Sequence, residues 1–134
     1  MPIGQAQIVR EGAHVTVVAW GAMLYEALEA ANQASAQGVE CEVVDLRTLW
    51  PLDIATIVES VKKTGRVVVV HEAPKTCGFG GEIIALLNEK AFLHLEAPPV
   101  RVTGFDTPFP YTLEMEYLPL AHRILPALLE TARY

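Results

Sequence analysis

The sequence predicts an α/β three-layer sandwich built on a mostly parallel sheet, and three observations carry that expectation. Short apolar, β-branched runs recur at His14–Trp20, Glu40–Leu46, Arg66–Val70 and Val100–Thr103. Between them lie segments whose apolar residues repeat at helical spacing. Glycine or proline marks most changes from one pattern to the other. The alternation of strand and helix calls for crossover connections, hence a parallel sheet covered on both faces.

With 134 residues, 51% of them hydrophobic and 19% charged, the chain is long enough for one full core and too short for two. Residues 1–12, punctuated by Pro2, Gly4 and Gly12, read as an N-terminal arm with one short edge strand at Ile8-Val9. Residues 13–134 read as a single domain. In the first strand, His14–Trp20, the chain runs to Gly21, which turns it into a helix. Leu24, Ala27, Leu28 and Ala31 give that helix its apolar face, and Gly38 ends it.

The second strand exits through Asp45 and Arg47, read as a local ion pair holding the loop. Trp50-Pro51 disfavours helix, and Asp53 is placed to cap the helix carrying Ile54, Ile57, Val58 and Val61. Thr64-Gly65 stops it and delivers Val67–Val70, four valines that read as a strand buried on both faces.

That strand ends in His71 and Glu72, Pro74 is expected to break its pairing, and Gly78, Gly80 and Gly81 lead into a helix from about Glu82. Two uses of the glycines stay open: cradling an anion at a helix start, or turning the chain tightly. The dinucleotide fingerprint fails because Ile83 stands where its third glycine belongs. His71 and Glu72 read as a satisfied strand-end pair, with reach to a neighbouring subunit as the alternative. The third helix carries Ile83, Leu86 and Leu87 on one face, with Ile84 and Ala91 flanking, and is expected to be well covered on both flanks.

After Val100–Thr103 comes Gly104-Phe105-Asp106-Thr107-Pro108-Phe109-Pro110-Tyr111, three aromatics on a proline-stiffened loop. Such rings offer large contact area at low entropy cost, or fold back over the domain's own core. A last helix is expected from Leu118, with Leu120, Ile124, Ala127 and Leu128 on one side and kinked or split at Pro126. Parallel strands would bring Trp20-Gly21, Asp45–Thr48, His71–Gly81 and Gly104–Pro110 to one sheet edge, the expected interaction surface.

The net charge of −6, with lysines and arginines scattered, argues against nucleic acid as a partner. Cys41 and Cys77 lack ligand spacing, His14, His71, His94 and His122 form no cluster, and no metal site is expected. No signal peptide or membrane-spanning run is visible, which points to a soluble cytoplasmic protein.

Four motifs in fixed order carry a resemblance: Val43–Asp53, Lys62–Pro74, Gly78–Ile83 and Phe105–Tyr111. Together they resemble the C-terminal domain of the E1 β subunit of 2-oxo acid dehydrogenase complexes, over essentially the whole chain. The Asp106–Pro110 loop looks more like the branched-chain (2-oxoisovalerate) than the pyruvate type, and weighs against a transketolase or deoxyxylulose-phosphate synthase. The resemblance implies a transketolase C-terminal-like fold of about five strands, one antiparallel.

It also implies a thiamine-diphosphate enzyme of α2β2 form that decarboxylates a 2-oxo acid and acylates the lipoyl arm of an E2 acyltransferase. The implied partners are the E1 α subunit, a second E1 β subunit and the basic peripheral-subunit-binding domain of E2, which an acidic surface suits. The family's catalytic histidine and magnesium-diphosphate motif have no counterpart here. No catalytic, cofactor or metal residue is therefore assigned, and the domain alone is expected to be inactive and to bind neither thiamine diphosphate nor Mg. The partner-binding candidates are Phe79, Phe105, Asp106, Phe109 and Tyr134, the last offering a ring beside a carboxylate if the natural chain ends there. The competing reading is a free-standing α/β module that binds a small molecule or anion at the strand ends, through His71, Glu72 and the glycine loop.

Overall fold

The computed structural model describes residues 2–134; Met1, the first residue of the arm, lies outside them. Five strands form one sheet in the order β1-β3-β2-β4-β5. They are β1 (Gln7–Arg10), β2 (Val15–Ala19), β3 (Cys41–Asp45), β4 (Val67–Pro74) and β5 (Val100–Gly104). β2, β3, β4 and β5 run parallel, and β1 pairs antiparallel with β3 at one edge. The arm thus supplies the fifth strand.

The long helices are α1 (Met23–Ser35), α2 (Ile54–Thr64), α3 (Phe79–Ala91) and α5 (Ala121–Arg133); a single turn, α4 (Glu114–Tyr117), precedes the last. Because the central strands are buried on both faces, their apolar runs feed two cores. Val17, Val43, Val68 and Val70 pack against α1 and α5, around Ala27, Ala31, Ile124 and Leu128. Val18, Val44, Val67 and Val69 pack against α2 and α3, around Ile57, Val61, Ile83 and Leu87. Each of these large side chains is fully buried, which stabilises the fold by about 1.5–3 kcal/mol apiece.

Polar residues inside the sheet are matched to α2. The Thr16 hydroxyl lies 2.7 Å from that of Ser60 and 2.8 Å from that of Thr64. Buried Glu42 pairs with Lys63. The Asp53 carboxylate caps α2 by accepting from the Thr56 amide at 3.2 Å, and it also accepts from the Ala6 amide at 3.0 Å, tying the arm to the domain. Gly65 closes the helix in the left-handed region at φ 70°, where side chains are strained.

Several expectations are corrected. Pro74 does not end the pairing: β4 continues through it, with an irregularity between His71 and Pro74. Beyond Val70 only β5 flanks the strand, so the amide that proline lacks falls on an open side. α3 begins at Phe79 rather than Glu82, so Gly80 and Gly81 lie inside its first turn. Its flanks are not both covered: Ile83, Leu87 and Ala91 are buried, whereas Leu86 and Ile84 are half-buried and Phe92 and Leu93 just beyond are exposed. The buried stripe of α1 is rotated toward Met23, Ala27, Ala30, Ala31 and Ala34.

α5 starts at Ala121, after the unforeseen turn α4, and runs unsplit through Pro126. Pro126 and His122 lie on the exposed side. There the His122 carbonyl, which loses its intrahelical donor, can be hydrated, while buried Ile124 and Leu128 hold the helix down.

Candidate functional site

The parallel strands deliver their carboxyl ends to one edge, as the topology requires. In an open α/β sheet the usual ligand crevice lies where the strand order reverses, which here is between β2 and β4. Trp20 follows β2 and His71 lies on β4 at that point, and their rings stack with centroids 5.3 Å apart and an interplanar angle of 29°. Phe79, in the first turn of α3, meets Trp20 edge-on at 6.1 Å. Three aromatic rings therefore fill the crevice.

Two of the loop glycines are explained by this plug. A Cβ on Gly78 would come within 2.4 Å of the Pro74 carbonyl oxygen and 2.6 Å of His71 Cε1, and one on Gly80 within 2.8 Å of Nε2. On Gly81 it would meet only the tip of Arg101, at 3.6 Å. None of the three adopts a positive φ; the Gly78 amide closes the turn from Lys75 by donating to its carbonyl at 3.3 Å, and Gly78 and Gly80 also make room for the imidazole.

His71 is 1% exposed. Its Nδ1 lies 3.1 Å from the Ala73 carbonyl, an acceptor only, so Nδ1 carries the proton and Nε2 does not. Nε2 is buried without a partner. Burial pushes the pKa of His71 down, the Ala73 bond opposes that shift, and the Arg101 charge adds to it. Glu72, one residue on, is exposed. Strand alternation sends the two side chains to opposite faces, so they form no pair, and only Glu72 can reach a neighbour.

The second part of the edge joins the glycine loop to the aromatic loop. Asp106 accepts from the Thr76 amide at 2.9 Å and from the Thr76 hydroxyl at 2.6 Å. The hydroxyl bond, then the amide bond, hold its carboxyl below the usual range. Phe105 and Phe109 meet buried Tyr117 edge-on, at 6.2 and 5.2 Å, with their other faces exposed. Tyr111 is 90% exposed, and Leu113 and Met115 are also open. Phe105 and Phe109 thus lean on Tyr117 while presenting apolar surface, whereas Phe79 is half-buried against Trp20. At the β3 end, Arg47 and Asp45 make the expected ion pair at 3.5 Å.

Tyr134 lies apart from the other candidates. α5 runs from Ala121, near the carboxyl end of β5, back to the strand's amino end. There Tyr134, 74% exposed, borders a cavity of about 220 Å³ with Pro98, Val100 and Ala127. Phe92 and Leu93 extend this apolar surface, and Glu96 and Glu130 stand around it. Sequence patterning did not single out Phe92 or Leu93; apolar residues just past a helix end were the available signal.

Among the described residues, no three His, Cys, Asp or Glu side chains converge as a metal site requires, and no helix is long and apolar enough to cross a membrane. Cys41 is buried, which pushes its thiol up to about 11, and Cys77 is exposed.

Comparison with known proteins fits this geometry. Residues 4–124 match the family described as Transketolase, C-terminal domain. The mitochondrial 2-oxoisovalerate dehydrogenase subunit beta of Dictyostelium discoideum is 54% identical over 120 residues, 89% of this chain and 32% of that protein. The pyruvate dehydrogenase E1 component subunit beta of Leifsonia xyli is 52% identical over 126 residues, 93% of this chain and 37% of that protein. This chain thus spans about a third of the length of these relatives. A solved structure titled as a split-gene transketolase, inactive beta4 tetramer, superposes with a TM-score of 0.87 at 32% identity, over 99% of this chain and 43% of that one. Its five-stranded sheet, its matched residues and its similarity to these beta subunits together show that the chain belongs to the transketolase C-terminal domain family.

Proposed function

We propose that this chain is the C-terminal domain of the β subunit of a thiamine-diphosphate-dependent 2-oxo acid dehydrogenase (E1), and that its work there is subunit assembly and docking of the E2 acyltransferase. The parent enzyme would decarboxylate 2-oxoisovalerate or pyruvate and pass the acyl group to the lipoyl arm of E2. In this reading thiamine diphosphate and magnesium are held by the rest of the E1 heterotetramer, not by this domain.

The observation that carries the reading is the presence of two exposed apolar surfaces at opposite ends of β5, beside a filled switch-point crevice. Phe105, Phe109, Tyr111, Leu113 and Met115 at the carboxyl end suit contact with the E1 α subunit or a second β subunit. Tyr134, Phe92 and Leu93 at the amino end, ringed by Glu96 and Glu130, suit the basic peripheral-subunit-binding domain of E2. A small-molecule module working at the switch point would need that crevice open, and Trp20, His71 and Phe79 occupy it.

Calorimetric titration of this chain with an E2 peripheral-subunit-binding domain, at low and moderate salt, tests the docking role. The expected result is saturable binding that weakens with salt, falls about tenfold or more in Tyr134→Ala, and is unchanged in Phe109→Ala. Failure of the folded chain to bind would remove docking and leave subunit assembly as its contribution.

A further inference from the structure

The carboxyl edge has a second concavity, off the switch point and on the β5 side. It has a volume of about 280 Å³, and its lining includes Lys75, Arg101, Thr103, Asp106 and Arg123. Three cations and one carboxylate meet there, an excess of two positive charges on a chain whose net charge is −6. Scattered basic residues on an acidic protein do not ordinarily gather in one hollow.

The cations come from the loop after β4, from β5 and from α5, and two of them are fixed in place. Arg101, on β5, donates from Nη1 to the Lys75 carbonyl at 3.0 Å. Arg123, on α5, donates from Nη1 to the Tyr117 carbonyl at 2.8 Å and from Nη2 to the Thr103 carbonyl at 2.7 Å. Its guanidinium also rests 4.4 Å above the centre of the Phe105 ring. These partners are neutral. Among the described residues, none of Lys75, Arg101 and Arg123 has a carboxylate within ion-pairing distance.

The one carboxylate nearby is already engaged, since both Asp106 oxygens accept from Thr76. Arg123 is partly withdrawn from water, and burial pushes its pKa down. The site therefore holds two guanidinium groups in set positions, with Asp106 offsetting only one of the three positive charges, an arrangement suited to recognising an oxyanion with little reorganisation.

We propose that this hollow binds a small tetrahedral oxyanion, inorganic phosphate or the phosphate of a small monoester. Two excess charges match a dianion. Donors approaching from the loop after β4, from β5 and from α5 suit a group with acceptor oxygens on several sides better than a flat, singly charged carboxylate. The inference does not depend on the assembly and docking role.

The test is calorimetric titration of the 134-residue chain with inorganic phosphate at constant ionic strength, with acetate as the carboxylate comparison. The expected result is saturable phosphate binding at least about tenfold tighter than acetate, weakened about tenfold in Arg101→Gln and measurably in Lys75→Gln. Lys75 is exposed, so its replacement leaves the packing intact. A small phosphomonoester binding more tightly than phosphate would identify the monoester as the ligand. Lack of saturation by about 10 mM phosphate, or equal affinity in both variants with unchanged unfolding midpoints, would overturn the proposal. So would acetate binding as tightly as phosphate, which would reassign the site to a carboxylate.

Discussion

The imidazole of His71 lies stacked against the indole of Trp20, 5.3 Å between centroids, with its Nε2 in the space a side chain on Gly80 would need. A sheet of this kind would ordinarily leave its switch point free for a ligand; here the ring stack turns that point into core. The glycines beside it are therefore held to their identity by volume.

Gly80→Ala would set a methyl group 2.8 Å from His71 Nε2 and 2.9 Å from Cδ2. The ring is clamped by Trp20 and cannot swing away, so a loss of about 1–3 kcal/mol is expected. Gly81→Ala, whose nearest neighbour is the Arg101 tip at 3.6 Å, is expected to be neutral or to stabilise by up to about 1 kcal/mol through helix propensity. Urea denaturation of the two variants checks the contrast, and equal effects would contradict the steric account.

Stability is expected to fall as the pH drops below the ordinary histidine value of 6.5, because His71 has a lowered pKa in the folded state. Above that value both states are neutral at His71 and its contribution is intact. Below it the unfolded chain takes up the proton first, and stability is lost until the pH reaches the folded-state pKa. The slope is at most about 1.4 kcal/mol per pH unit for one group. Urea midpoints across this range should show it, and His71→Gln should remove this part of the slope while lowering stability at neutral pH.

Asp53 serves two elements at once, the α2 cap and the arm. Although burial opposes ionisation, the bonds from Thr56 and Ala6 outweigh it and keep its carboxyl below the usual range. Asp53→Ala is expected to cost about 1–2 kcal/mol. The Ala6 amide should also lose protection in hydrogen exchange, whereas Asp53→Asn should retain part of the cap. If Ala6 exchange were unchanged, the arm would be held by its pairing with β3 and its other polar contacts, without help from Asp53.

The layers and the strand ends were legible because buried β-branched runs and helical spacing are local signals. Asp53, Gly65 and Val67–Val70 show this: capping, left-handed φ and two-sided burial are each written in adjacent residues. What could not be read was which of two partners a residue meets across the sheet. The turn at Gly78 was legible, but nothing nearby reveals that an imidazole also needs the space beside Gly78 and Gly80. Phe79 resembles Phe105 and Phe109 in sequence, yet its ring is half-buried against Trp20 while the other two face outward. Pro74 and Pro126 stay inside their elements because each falls on a side without a protein partner, a property of neighbours set by the whole fold. The grouping of Lys75, Arg101 and Arg123 likewise depends on tertiary placement, since they come from the loop after β4, from β5 and from α5.

β5 runs from Val100, beside Tyr134, to Gly104, beside Tyr117 and the aromatic loop. At the rise of a parallel strand, its ends stand about 13 Å apart. Hydrogen-bonded along β4 and backed by α5, it is a stiff strut with a gripping surface at either tip. Two bodies seated on those tips would be kept at a fixed spacing and orientation by one short strand, making this domain a gauge block as well as an adhesive.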